Sequence, residues 1–261
     1  MRLRNEPVAK VKHTPRRVAS RADRVSEAKM AVQRLKQGVR SKWRAMAKSI
    51  LLPLLAWLSL AGQDLRPIPI ALPKPLFEGT PENLRAPNLE KPLGKPRPAF
   101  LAPAGAINAA RGKSVTGSDP DPAIGDLDMI TDGNKDGADG TYVELKPGRQ
   151  SIIIDLGSKH SIYAVVIWHF HKQPRVYSDV IVQTADEPDF ISKVRTVFNN
   201  DHDNTAGLGI GKDLNYVETA EGKLVDARGV EARYVRLSSN GSTASPANHY
   251  VEVEVYGKPA Q

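Results

Sequence analysis

From about Ala106 to the C-terminus, short apolar and β-branched runs alternate with clusters of turn formers. The runs read TYVEL (141–145), QSIIIDLG (150–157), SIYAVVIWHFH (161–171), SDVIVQTA (178–185), KVRTVF (193–198), ARYVRLSS (232–239) and YVEVEVYG (250–257). Several are apolar at consecutive positions, the pattern of strands covered on both faces. The separators LGSKH, KQPR, DEPDF and SNGSTASPAN carry the Gly, Pro, Asn and Asp that turns need. No stretch after residue 63 sustains a helical period. Seven or more short strands within about 150 residues, without a long helix, predict an all-β sandwich. No internal repeat is visible.

Upstream the pattern changes twice. Residues 63–103 hold ten of the 20 prolines. Proline fixes φ and removes a ladder donor, so this stretch reads as an extended, polyproline-like linker. Residues 50–62 read ILLPLLAWLSLAG, 13 apolar or small residues. A spanning helix wants roughly 18 or more, and a secretory signal core roughly 7–15 behind a basic segment. Lys48 supplies charge, Ser59 and Ala61 supply small residues, and cleavage after Ala61 or Gly62 fits. Gln63 stands where a lipidated Cys would have to be. The expected organisation is a basic extension with a signal peptide over 1–62, the linker over 63–103, a sandwich over 104–258 that folds alone, and a tail over 259–261. A start at Met46 (or Met30) would give a compact signal peptide. The rival is a signal anchor with a basic cytoplasmic tail. Either way the folded part is exported to the periplasm, the cell surface or the medium; with the signal cleaved, the mature form has no transmembrane span.

Charge and cysteine usage narrow the function. The chain has 261 residues and a formal net charge of +8. Residues 1–48 hold 15 Lys+Arg and 3 Asp+Glu, so the rest carries 22 Lys+Arg and 26 Asp+Glu, a net of −4. The folded part would repel a phosphate backbone, which excludes nucleic acid as its partner. Cysteine is absent, which removes disulfides, thiolate-bound metals and thiol catalysis.

Three constellations carry candidate chemistry. Asp132-Gly133-Asn134-Lys135-Asp136-Gly137 places side-chain oxygens at alternate positions with a Gly for the turn, suiting a hard cation such as calcium. An EF-hand does not follow, because its twelfth position is Val143 rather than Glu and no helices flank the loop. In the second, His169 and His171 share one strand face by the period of two, and Arg175 follows in the next turn. Asn200, Asp201, Asp203 and Asn204 form another polar cluster. With Tyr216 as an apolar platform, these residues offer the planar hydrogen bonders that sugars require. Trp168 and Phe170 are read as core. In the third, His169 and His171, with His202 or His249, could hold zinc beside Glu218 or Glu221. No hydrolase motif or phosphate loop accompanies them.

Six runs, in order, resemble the discoidin (coagulation-factor type C) family and its bacterial cousins among family 32 carbohydrate-binding modules. They are Asn108 to Val115, the turn Ile130-Thr131-Asp132-Gly133-Asn134, Ile152 to Gly157, Asp186-Glu187-Pro188-Asp189-Phe190, Ala232 to Leu237, and Val251 to Gly257. The lack of Cys fits the bacterial branch. The stretch 198–221 is longer than the simplest family pattern. The resemblance, over about 106–258, implies an eight-stranded jelly-roll β-sandwich of the galactose-binding-domain-like kind, with ligands bound by loops at one end. It also implies a structural calcium held by Asp132, Thr141 and Glu252. The expected function is a non-catalytic module that binds a carbohydrate or glycoconjugate. The alternatives are a surface-protein interaction domain that binds no sugar and a zinc hydrolase using His169 and His171.

Overall fold

The computed structural model describes residues 64–77 and 84–260. The expected signal segment and basic extension lie outside the described residues. The strands are β1 (Leu65–Pro67), β2 (Leu101–Pro103), β3 (Ile107–Asn108), β4 (Val115–Gly117), β5 (Val143–Leu145), β6 (Gln150–Trp168), β7 (Ile181–Ala185), β8 (Arg195–Asn199), β9 (Lys223–Ser239), β10 (Asn248–Tyr250) and β11 (Glu252–Pro259). A 3-10 turn, Leu127–Thr131, is the one helical element among the described residues. The fold is the all-β sandwich expected from the strand and turn pattern. Its main sheet runs β3-β11-β6-β9-β7-β8 with β4 also on β6, β5 pairs with β10, and every strand pair is antiparallel.

The runs 150–157 and 161–171 are one continuous strand, β6, and β9 begins at Lys223 rather than Ala232. A straight strand of 19 residues would span about 60 Å. Both strands instead fold back. Ser239 pairs with Gln150 at the start of β6, and its Oγ is 3.0 Å from the Tyr250 hydroxyl. The Tyr250 ring lies 4.9 Å from that of His169, the residue after β6 ends. One tyrosine therefore touches both ends of the long strand pair. The bend falls where the β6–β9 register breaks, between Asp155 and His160 and again between Ile162 and Ala164. Gly229 lies there at φ +73°, with the Tyr163 ring 3.2 Å from where a Cβ would stand. A side chain would meet both strain and crowding.

Folding back explains why the β6 run is apolar on both faces. Ile152, Ile154, Ile162, Val165 and Ile167 face the main core with Val182, Phe198, Val225, Val235, Leu237 and Val253. Ala164, Val166 and Trp168 point the other way, into a second cluster with Val251 and Tyr256. That cluster is closed by Ile68 and Ala102, with Ile70 and Phe100 against it. The proline-rich stretch was expected to be a free spacer. Its described residues instead form a strap: β1 pairs with β2, the Ile68 N–H donates to Phe100 O at 3.0 Å, and the Tyr256 hydroxyl donates to Pro69 O at 3.2 Å. Proline content predicted an extended backbone correctly but said nothing of the apolar residues between the prolines that reach the sheet.

Removing the strap would bare Trp168, Val166 and Tyr256. Burying one aliphatic side chain contributes about 1.5–3 kcal/mol. A fragment over 104–261 should therefore be less stable than 64–261 by at least about 2 kcal/mol in urea unfolding. Equal midpoints and slopes for the two fragments would remove the strap from the core.

Candidate functional site

Both ends of the long strands meet at one end of the sandwich, and polar side chains collect there. His169 follows β6 and is fully buried. Its Nδ1–H donates to Glu218 Oε2 at 3.0 Å, with neither side chain exposed. Its ring stacks on Tyr177 at 4.3 Å, and the Tyr216 hydroxyl stands 3.5 Å from Nδ1. Glu218 is placed by its own backbone, whose N–H donates to Arg175 O at 2.8 Å, and by Trp168 Nε1–H, which donates to Ala220 O at 3.0 Å. His169 Nε2 and Glu218 Oε1 have no partner. Burial pushes the hydroxyl pKa values of Tyr177 and Tyr216 upward, and Glu218 adds to both. These phenols stay neutral donors.

His169 and His171 do not share a face. The period of two holds only within a strand, and both residues lie past the end of β6. His169 turns to Glu218, whereas His171 Nε2 stands 2.7 Å from Lys135 O in the acidic loop. The pair does not assemble the zinc centre expected under the hydrolase alternative. Nor are His169, His171 and Tyr216 surface ligands, because all three are buried.

Arg175 is different. It is half-buried, and its guanidinium lies 4.3 Å above the Phe170 ring. Its Nε and Nη1 are buried without a partner. Phe170 meets Tyr142 edge-on at 5.1 Å, and Tyr142 tilts against His249 at 5.8 Å. His249 Nε2 stands 3.0 Å from Glu144 Oε2, and its Nδ1 is 3.2 Å from the Tyr177 hydroxyl. Burial lowers the His249 pKa, Arg175 lowers it further, and Glu144 opposes both. A neutral His249 fits the geometry, with Tyr177 donating to Nδ1 and Nε2–H donating to Glu144. Sequence reading missed Tyr142, Glu144, Tyr177 and His249 as neighbours of Arg175. His249 and Glu144 are direct cross-strand partners on β10 and β5, a pairing that neither run reveals alone.

The loop after β8 lies at the same end but uses its polar groups internally. Asn200 and Asp201 are buried. Asn200 Oδ1 accepts from Val180 N–H at 2.6 Å, and Asp201 Oδ2 accepts from Ala206 N–H at 2.9 Å. These residues brace the long 198–221 insertion rather than face solvent. Asp203 and Asn204 are exposed, although Asn204 Oδ1 accepts from Gly209 N–H at 2.7 Å. Asp179, Asp201 and Asp203 bring carboxylate oxygens within 4.8 Å of one another, beside Thr205 Oγ1.

The acidic loop brings Asp132 and Glu252 together. Glu252 is fully buried, its Oε2 accepts from Gly133 N–H at 2.8 Å, and its Oε1 has no partner. Burial pushes its carboxyl up to about 8, with Glu254 and Asp132 adding to the rise. Gly133 stands at φ +83°, where a side chain would be strained, and the Arg111 guanidinium lies in the space that a side chain would enter. An unpaired buried carboxylate oxygen beside an aspartate fits a hard cation. The other expected ligands are turned to local work. Asp132 Oδ1 accepts from Asn134 N–H at 2.7 Å, and Asn134 Oδ1 accepts from Asp136 N–H at 3.1 Å. Thr141 Oγ1–H donates to Ala138 O at 2.8 Å.

No family model matches the chain, and no curated protein matches it. Solved structures do. A family 89 glycoside hydrolase from Clostridium perfringens matches at 17% identity and TM-score 0.45, over 59% of this chain and 15% of the hydrolase. The chain thus spans a small part of that enzyme's length. The CBM32 of AlyQ, in complex with 4,5-unsaturated mannuronic acid, matches at 16% identity and TM-score 0.41, over 54% of this chain and 92% of the module. A Streptococcus pneumoniae fucose binding module, SpX-3, matches at 19% identity and TM-score 0.40, over 57% of this chain and 97% of the module.

The His169–Glu218 pair generates a stability prediction. Removing one partner of a buried hydrogen-bonded pair leaves the other unsatisfied and costs about 1–3 kcal/mol. Glu218→Ala should fall in that range in urea unfolding. His169→Phe combined with Glu218→Leu should cost less than the sum of the single changes. Strict additivity would mean that the two side chains do not act as a pair.

Proposed function

We propose that this chain is an exported, non-catalytic module that binds carbohydrate at the Arg175 end of the sandwich and carries a structural calcium beside it. The observation that carries the reading is Arg175, seated on Phe170 with Nε and Nη1 unpaired. Two buried guanidinium nitrogens without acceptors call for them. Its Nε and Nη1 hydrogens leave opposite sides of the group, so they suit two separate oxygens, as on a sugar ring, better than one carboxylate. The half-buried Tyr142 ring, edge-on to Phe170, supplies apolar surface for the C–H face of a sugar. The buried His169–Glu218 pair is sealed from solvent, which suits a brace rather than a general base.

The calcium reading rests on Glu252 Oε1, an orphaned oxygen next to Asp132. Asp132 and Glu252 would hold the ion, and its charge would compensate a carboxylate that burial disfavours. Lys135 O ties the same loop to His171, so ordering the loop would also order the chain leading to Arg175. Action in the periplasm, at the surface or in the medium is supported by the apolar run 50–62 behind a basic segment. Among the described residues, no helix is long and apolar enough to cross a membrane.

A partly open polar site should bind weakly, at roughly −4 to −6 kcal/mol. On a glycan array, the wild type should bind a subset of sugars. Arg175→Lys, which keeps charge and stem but loses the planar fork, should lose at least about tenfold in affinity with little change in melting temperature. Full binding by Arg175→Lys, or no wild-type signal on any glycan, would refute the reading.

Calcium at 100 times its Kd should stabilise the protein by about 2.7 kcal/mol. Melting curves in calcium and in chelator should therefore differ for the wild type and coincide for Asp132→Ala and Glu252→Gln. A wild-type protein indifferent to chelator would refute the ion.

A further inference from the structure

The segment between the long insertion and β9, residues 215–222, joins no strand of the main sheet. It nevertheless carries Tyr216, Glu218 and Ala220, the three groups that meet His169 and Trp168. The proline-rich stretch grips it at both ends. At the first end, Asn215 N–H donates to Asn88 O at 3.0 Å, Glu90 N–H donates to Asn215 O at 2.8 Å, and Asn215 Nδ2–H donates to Pro87 O at 2.7 Å. At the other end, Arg97 donates through Nη1 to Gly222 O at 2.7 Å and through Nη2 to Glu221 O at 2.9 Å. Arg97 N–H meets both Glu221 carboxylate oxygens at 3.2 Å. Lys223 Nζ completes the grip, 2.7 Å from Glu90 Oε2 and 4.7 Å above the Tyr216 ring.

We infer that residues 87–97 are a positioning clamp for the ligand end, with Arg97 as its main positioning residue. The inner side of the clamped segment makes two contacts that reach the ligand end: Glu218 carboxylate to His169, and Glu218 N–H to Arg175 O. The second fixes the backbone of the residue proposed to contact sugar, so this part of the inference rests on the carbohydrate reading. A segment with no ladder of its own has few bonds to lose before it opens. The bonds from Arg97 are two of those that keep it closed, and they fall on carbonyl oxygens that no strand satisfies. Gly222, at φ +64°, lets the chain lie flat against Trp168, whose ring is 2.7 Å from where a Cβ would stand. The segment is therefore pressed between Trp168 on the inside and Arg97 on the outside. On this account the proline-rich stretch does more than join the sandwich to the N-terminal part of the chain. It sets the geometry of the loop end.

The test uses the full chain and amide hydrogen exchange without ligand, so it does not depend on the sugar reading. Arg97→Ala should speed exchange over 216–222 by at least about tenfold, while exchange across the β6–β9 ladder stays within about twofold. Arg97→Lys, which keeps charge beside Glu221 but cannot fork onto two carbonyls, should fall between. It and Glu90→Gln also serve if Arg97→Ala fails to fold. Unchanged exchange over 216–222 in these variants would overturn the clamp. On the array glycan with the strongest wild-type signal, Arg97→Ala should lose at least about fivefold in affinity with an unchanged calcium-dependent melting shift. Faster exchange with full affinity would overturn the link to the ligand end. If the wild type binds no glycan, the carbohydrate reading fails and the exchange result alone decides the clamp.

Discussion

The pairing of β6 with β9 runs from Gln150–Ser239 to Ile167–Lys223 and survives a sharp bend in both strands. Two strands can fold back together only where the register breaks and the backbone accepts unusual dihedrals. Gly157 at φ +83° and Arg228-Gly229 at φ +55° and +73° meet that need. With the bend in place, each long strand supplies both layers of the sandwich. Its two ends, and the loops that leave them, then arrive at one end of the molecule. The His169–Tyr250–Ser239 contact records this closure.

That geometry imposes an electrostatic condition. The chain segments meeting at this end are buried by one another, so their polar groups must find partners inside. Most do, through His169 to Glu218 and from Tyr177 through His249 to Glu144. Arg175 Nε and Nη1 and Glu252 Oε1 do not, and within the first pair His169 Nε2 and Glu218 Oε1 are also left without a partner. Arg175 lies against the Phe170 ring and Glu252 against the acidic turn. The bonded pairs hold the frame, and the proposed ligand contacts rest on the orphaned atoms of Arg175 and Glu252.

The architecture was legible because strands buried on two faces leave continuous apolar runs, and turn residues punctuate them. The first half of β9 was not, because Asp226, Arg228 and Gly229 at the bend break the run and read as loop. The strap was missed for a related reason. Proline frequency dominates 63–103, whereas Ile68, Phe100 and Ala102 act only once a sheet face needs cover. In the site, Glu252 was offered only by the family resemblance, whereas Arg175 and Asp132 were candidates from local sequence. Local sequence misjudged His169, His171, Asn200 and Asp201, since burial depends on which distant segments pack over a loop. The pairing of Glu144 with His249 was unreadable until β5 and β10 were seen to pair.

The account stands on Arg175 and its aromatic seat forming the contact surface for a sugar. Chemical-shift mapping by NMR, with an array-positive oligosaccharide titrated into the protein, tests this most directly. The predicted result is that the largest shifts fall on Arg175, Phe170, Tyr142 and His249. Smaller ones should fall on Glu144, and none on the β1–β2 strap face. Shifts centred on the 203–214 loop or on the outer sheet face, with Arg175 unmoved, would contradict it.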